Sequence, residues 1–108
     1  MSTIQEVTPQ QFEAEVLSST TPVLVDFYGH HCPACVRMLP VVEEVAGERA
    51  GSVRVLKMNA HDHFEFVSQF RIAAVPNFIL FSKGAPVGLR AGSVSKSALL
   101  NWLDESIR

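Results

Sequence analysis

Residues 23–35 read VLVDFYGHHCPAC, and the rest of the chain is arranged around them. The first six of these residues are apolar except for Asp26, a pattern that predicts a central strand buried on both faces. Pro33 suits the first position of a helix, because an N–H there would have no partner anyway. Cys32 and Cys35 therefore fall where a buried strand passes into a helix.

Cys32 and Cys35 are predicted to form a redox-active pair. A helix N-terminus carries a partial positive charge and unpaired N–H groups, and both stabilise a thiolate. The two intervening residues in the first turn let the sulfurs meet. Cys32 is expected to be exposed and to attack, whereas Cys35 is expected to be shielded. The first sulfur would form a mixed disulfide with a substrate, and the second would displace it.

Size, charge and composition narrow the class of protein. A chain of 108 residues with 47% hydrophobic residues predicts one globular domain over residues 1–108, and we expect a monomer. The net charge of −2 argues against nucleic-acid binding. No apolar run approaches the roughly 18 residues of a membrane span. Residues 1–6 lack a basic segment followed by an apolar one, so a cytoplasmic location is expected.

Apolar periodicity predicts the element order β-α-β-α-β-α-β-β-α. Alternating strands and helices imply parallel strands with crossover helices, and a closing hairpin implies an antiparallel edge. The predicted fold is therefore α/β, a mixed sheet in a three-layer sandwich. Asp62 is expected to cap the third helix, residues 82–86 to form the hairpin loop, and Phe64, Phe66 and Phe70 to pack in the core or along the helix. The predicted strands cover 4–7, 23–28, 53–58, 77–81 and 87–90, and the helices begin near 9, 33, 62 and 96.

Several motifs taken together make the chain resemble the thioredoxin family over almost its whole length. The matching features are Val25-Asp26-Phe27, Cys32-Pro33-Ala34-Cys35, Pro40, Lys57, Val75-Pro76, Gly84 and Gly92. The resemblance implies the thioredoxin fold with a five-stranded sheet, thiol–disulfide oxidoreductase activity and no bound cofactor. It also implies a cis Val75–Pro76 bond packed against the cysteines.

The sequence departs from the family pattern beside the cysteines. His31 stands where these proteins usually have tryptophan, Pro33-Ala34 replaces Gly-Pro, and Asn77 replaces the threonine after the cis proline. A protonated His31 would stabilise the Cys32 thiolate and make the pair more oxidising; His31 could equally be an exposed loop residue. We expect a disulfide reductase, with an oxidase or isomerase as the alternative.

Asp26 is an acid in an otherwise apolar strand. Burial of a carboxylate is costly, so Asp26 is expected to stay neutral or to find a partner. One interpretation is a salt bridge to Lys57 on the neighbouring strand. The other is a proton acceptor for Cys35, directly or through a water, with Lys57 modulating it, and the resemblance favours this catalytic role.

The predicted substrate-binding surface surrounds the cysteines. Its residues are His31, Pro33, Ala74, Val75, Pro76 and Gly92. They are expected to form a shallow apolar groove in which the backbone before Pro76 pairs with an extended peptide. The resemblance implies disulfide-containing client proteins and an NADPH-dependent thioredoxin reductase as partners.

Two further interpretations involve no redox chemistry. In one, the cysteines form a Cys₂His₂ zinc site with nitrogen ligands from His30, His31, His61 and His63. The sequence spacing fits no usual zinc finger, so we expect the protein to bind no metal. In the other, the chain is a thioredoxin-like binding module whose cysteines are idle.

Overall fold

A five-stranded mixed sheet forms the centre of the protein, which we describe from a computed structural model over residues 3–107. The strand order is β1-β3-β2-β4-β5. β1, β2 and β3 run parallel, whereas β4 is antiparallel to both β2 and β5. The strands are β1 (Gln5–Glu6), β2 (Val23–Tyr28), β3 (Arg54–Asn59), β4 (Asn77–Ser82) and β5 (Ala85–Ala91).

Helices cover both faces of the sheet, so the predicted three-layer α/β sandwich is confirmed. α1 (Pro9–Phe12) continues into a π-helical segment (Glu13–Leu17), and α3 (Phe64–Val67) continues into a 3₁₀ turn (Ser68–Phe70). The longer helices are α2 (Pro33–Glu48) and α4 (Lys96–Ser106). No helix within residues 3–107 is long and apolar enough to cross a lipid bilayer.

The two faces of β2 contribute to two separate parts of the core. Val23, Val25 and Phe27 pack into the layer that contains Phe12. Leu24 packs into the layer that contains residues of α2 and α4. Successive side chains of a strand point to opposite faces. Asp26 therefore lies on the face of Leu24, beneath α2, whose first turn carries Cys35.

Two predicted boundaries are wrong. The hairpin turn consists of Lys83 and Gly84 alone, because β5 begins at Ala85 and admits Pro86 on the edge of the sheet. The third helix is capped by His63 and not by Asp62. The Asp62 carboxylate is instead paired with the ring of His30.

The aromatic cluster of the third helix also differs from the expectation at one position. Phe66 and Phe70 pack against Phe12, with ring centroids 5.0 and 5.7 Å away. Phe64 faces outward and is 67% exposed. Its ring is therefore available on the surface beside the candidate site.

Candidate active site

Cys32 and Cys35 occupy the first turn of α2 and are joined by a disulfide bond. Cys32 is the N-cap residue, with extended backbone angles, and its Sγ accepts a hydrogen bond from the Cys35 N–H at 3.1 Å. Cys32 is half-buried, whereas Cys35 is only 7% exposed. Cys32 is thus half-buried rather than exposed as expected, because its Sγ packs against the Cys35 N–H, but it remains the more exposed of the two cysteines.

The loop that ends in Pro76 faces the accessible sulfur. The Val75–Pro76 peptide bond is cis, as the resemblance implied. The Val75 carbonyl oxygen lies 3.8 Å from Cys32 Sγ. Gly92 has a φ of +82° and donates its N–H to the Pro76 carbonyl oxygen at 2.9 Å, which ties the end of β5 to this loop. The sequence-predicted wall opposite the cysteines is therefore assembled from two separate segments.

An open, largely apolar groove of about 290 Å³ continues from Val75 along the third helix. Ala74 and Val75 line it, together with the exposed ring of Phe64 and with His61. The predicted residues His31 and Pro33 are exposed and do not line this groove. Sequence reasoning assigned Phe64 to packing, because the spacing of the three phenylalanines cannot show which ring turns outward.

Asp26 lies at the bottom of a second cavity, which is about 220 Å³ in volume. The cavity is also lined by Cys35, Lys57, Tyr28, Gly29, Val36 and Leu39. Asp26 is 3% exposed, and its Oδ1 has no hydrogen-bond partner among residues 3–107. Burial raises the pKa of Asp26 to about 7, while the positive charge of Lys57 acts to lower it and Glu6 acts to raise it. Asp26 can therefore exchange a proton near neutral pH.

Lys57 pairs with Asp26 in the register of β2 and β3. Within residues 3–107 the two side chains nevertheless form no direct ion pair, so the salt-bridge interpretation is not observed. Lys57 Nζ lies 5.7 Å from the centroid of the Tyr28 ring. The Tyr28 hydroxyl donates to the Glu6 carboxylate at 2.7 to 2.8 Å, and burial together with Glu6 raises the Tyr28 pKa. Sequence reasoning missed this contact, which joins β1 to β2 across the intervening strand β3.

Three of the four histidines, His30, His31 and His61, lie close to one another. The His30 ring centroid is 6.5 Å from that of His31 and 6.0 Å from that of His61. His30 is exposed, and its Nε2 contacts Asp62 Oδ1 at 2.6 Å. Across the described part of the chain, no three His, Cys, Asp or Glu side chains are grouped so that they could hold a metal ion.

Comparison with known proteins identifies the family. The family model described as "Thioredoxin" matches residues 3–105. A "Thioredoxin" of Rickettsia felis is 38% identical over 94% of this chain and 96% of its own length. "Thioredoxin 1" of Nostoc sp. is 36% identical over 99% of this chain and its full length. A "Bifunctional thioredoxin reductase/thioredoxin" of Mycobacterium leprae is 39% identical over 94% of this chain, which spans 22% of that protein. The chain therefore belongs to the thioredoxin family of thiol–disulfide oxidoreductases.

Proposed function

We propose that this oxidoreductase works as a protein disulfide reductase. The observation that carries the mechanism is the shared cavity of Asp26 and Cys35, beside a Cys32 that is more accessible than Cys35. Such a site separates the two roles that disulfide reduction needs. One sulfur meets the client, while the other waits next to a group that can take its proton.

The reaction begins from the reduced dithiol. The Cys32 thiolate attacks one sulfur of the client disulfide, the client's S–S bond breaks, and a Cys32–client disulfide forms with release of a client thiolate. Asp26 then accepts the Cys35 proton, directly or through a water in the cavity. The Cys35 thiolate attacks Cys32 Sγ and expels the second client thiolate. The client gains two electrons, and the protein is left with the Cys32–Cys35 disulfide present in the structure.

Regeneration of the dithiol requires a two-electron donor. We propose an NADPH-dependent thioredoxin reductase, since a relative carries the name of that activity in the same chain as a thioredoxin. Ala34, between the cysteines, adds no charge that would favour a strong oxidant. This scheme suits a monomer of one domain in a reducing compartment, hence the cytoplasm.

Client proteins would bind along the wall formed by Val75 and Pro76. An extended client segment would align its backbone with that of Val75, in the manner of strand addition, and place its cysteine at Cys32. Ala74, Gly92, His31 and Pro33 would border this segment. A shallow groove that uses mainly backbone contacts supports recognition of many different clients.

Trapping of the mixed disulfide tests the proposal. Reduced Cys35→Ser protein, incubated with insulin as the disulfide probe, should accumulate a covalent adduct that survives non-reducing electrophoresis. The matched Cys32→Ser protein keeps only the shielded thiol and should form far less adduct. Equal trapping by the two variants, or none by either, would contradict the assigned roles.

The alternative function, a more oxidising disulfide oxidase or isomerase, is favoured by one feature of the site. This feature is the exposed His31 immediately before Cys32. A positive charge there would stabilise the Cys32 thiolate and so favour the reduced protein, which makes its disulfide a better oxidant. Replacement of His31 by Trp should then make the reduction potential more negative. An unchanged potential would remove the support for oxidase or isomerase activity.

A further inference from the structure

We propose that His61 is a positioning residue for the redox centre. Together with Asp62 it clamps His30, and thereby fixes the loop of residues 29–31 that leads into Cys32. The inference concerns the reactivity of Cys32 and rests on its proposed role as the attacking thiol. It holds for either direction of electron transfer.

The clamp arises from the register of two neighbouring parallel strands. Tyr28 at the end of β2 pairs with Asn59 at the end of β3, and the Ala60 N–H donates to the Tyr28 carbonyl oxygen at 2.7 Å. Because parallel strands end at the same edge of a sheet, the loops that follow them lie side by side. Residues 29–31 and 60–62 therefore meet directly above the sheet edge that carries the site.

His30 is held at both its backbone and its side chain. Its N–H donates to His61 Nδ1 at 2.9 Å. Its ring Nε2 lies 2.6 Å from Asp62 Oδ1. Because a backbone N–H can only donate, His61 Nδ1 is the acceptor of this hydrogen bond. Two contacts from consecutive residues therefore hold His30, one at its backbone and one at its ring.

The base of the clamp is itself fixed. Asn59 is 6% exposed, and its Oδ1 accepts hydrogen bonds from the N–H groups of both His61 and Asp62, each at 2.9 Å. The His61 ring also lies flat against the backbone of Gly29. A Cβ added at Gly29 would come within 2.5 to 2.8 Å of three ring atoms. Glycine at position 29 therefore leaves room for the His61 ring in this position, and a larger residue there would displace the ring.

The loop needs such support because of the residue after His30. His31 has a φ of +51°, a left-handed conformation that residues other than glycine adopt at an energetic cost. The conformation brings the chain into the extended N-cap geometry of Cys32, from which Sγ accepts the Cys35 N–H. If residues 29–31 relaxed, Cys32 Sγ would lose this donor, and its thiolate would be less stable.

Site-resolved alkylation of the reduced protein by iodoacetamide tests the clamp. His61→Leu fills the space without an acceptor, whereas His61→Asn keeps an acceptor at the same number of bonds from Cβ. We expect His61→Leu to slow Cys32 alkylation at neutral pH about threefold to tenfold and to move its pH profile to higher pH. His61→Asn should react like the wild type.

Two further variants test whether the effect comes from the position of the His61 ring and not from the loss of any histidine in this segment. Gly29→Ala keeps histidine at position 61 but displaces its ring from the His30 N–H, so it should behave like His61→Leu. His63→Ala changes a histidine of the same segment that makes no side-chain cap hydrogen bond, and it should behave like the wild type. If circular dichroism shows that His61→Leu is unfolded, the alkylation rate of Gly29→Ala is compared with that of the wild type instead.

Three results would overturn the inference. The first is a wild-type rate and pH profile of Cys32 alkylation in His61→Leu, and the second is the same result in Gly29→Ala. The third is an equal loss of alkylation rate in His61→Asn and His61→Leu. The assay contains neither client nor reductase. Equal reactivity of Cys32 and Cys35 in the wild type would contradict the proposed function instead, and the ratio between the variants would still report on the clamp.

Discussion

Asp26 and Cys35 line the same cavity of about 220 Å³ although they belong to different elements of the fold. Asp26 reaches the cavity because it shares the face of β2 with Leu24, and Cys35 reaches it because α2 packs on that face. The buried carboxyl has a pKa of about 7 and an unpartnered oxygen. It is therefore suited to take a proton from a thiol that must become a nucleophile.

Asp26→Asn should slow the release of reduced client. Loss of a general base lowers the rate of a proton-dependent step by roughly a hundredfold to ten-thousandfold. In the wild type, release should accelerate as the pH rises through about 7 and the carboxyl ionises. The variant should lack this rise. The lifetime of the mixed disulfide in stopped-flow measurements reports the step, with the exposed Glu65→Gln as control.

The same carboxyl should make the stability of the oxidised protein pH-dependent. Its pKa is about 7 when folded and about 3.9 when unfolded, so the folded state holds more protons between these values. The free energy of unfolding should therefore be highest, for this group, below pH 4. It should fall by up to about 4 kcal/mol as the pH rises to 7, and then level off.

Denaturant titrations of the wild type and Asp26→Asn isolate this effect, because the other titrating groups cancel in the difference. The stability difference in favour of the variant should grow from pH 4 to pH 7. Above pH 7 the difference should stay constant. Parallel stability curves across the whole range would show that the Asp26 pKa is not raised by burial.

Lys57→Met should raise the pKa of Asp26 above about 7, because the ammonium group favours the ionised carboxylate. The pH at which client release accelerates should move upward by the same amount. The Lys83→Met control removes an exposed lysine in the hairpin turn and should leave the profile in place. A downward movement in Lys57→Met would reverse the sign assigned to Lys57.

Two glycines should respond to alanine with opposite signs. Gly92 has a φ of +82° with no atom near an added Cβ, so Gly92→Ala should cost about 1 kcal/mol through backbone strain alone. Gly47 lies within α2 and is equally uncrowded, so Gly47→Ala should stabilise by about 0.5–1 kcal/mol. Chemical denaturation measures both. Equal effects would show that the backbone at Gly92 is not constrained.

Much of the site was predictable because helix capping and strand alternation depend on residues that are near one another in the sequence. Proline at the first helical position places Cys32 at the cap, and strand alternation buries Asp26 beneath α2. The local rule failed at Asp62, since the carboxylate that would cap a helix is paired with His30. Local rules also overestimated the length of the hairpin loop, because an edge strand tolerates Pro86.

The contacts around His61 lay beyond such rules. The bond from the His30 N–H to His61 Nδ1 joins residues 31 positions apart and depends on the β2–β3 register. The sequence offered one signal, a glycine before a pair of histidines, with no indication of the ring that packs against it. The outward turn of Phe64 depends likewise on how the short third helix packs.

The reduction potential of the Cys32–Cys35 pair tests the proposed reductase most directly. Equilibration with glutathione buffers, followed by titration of free thiols, measures it. The account predicts a value close to that of thioredoxins, about −270 mV, and in any case below about −200 mV. A value above about −200 mV would contradict the reductase and would mean that His31 and Pro33 have adapted the pair to oxidation or isomerisation.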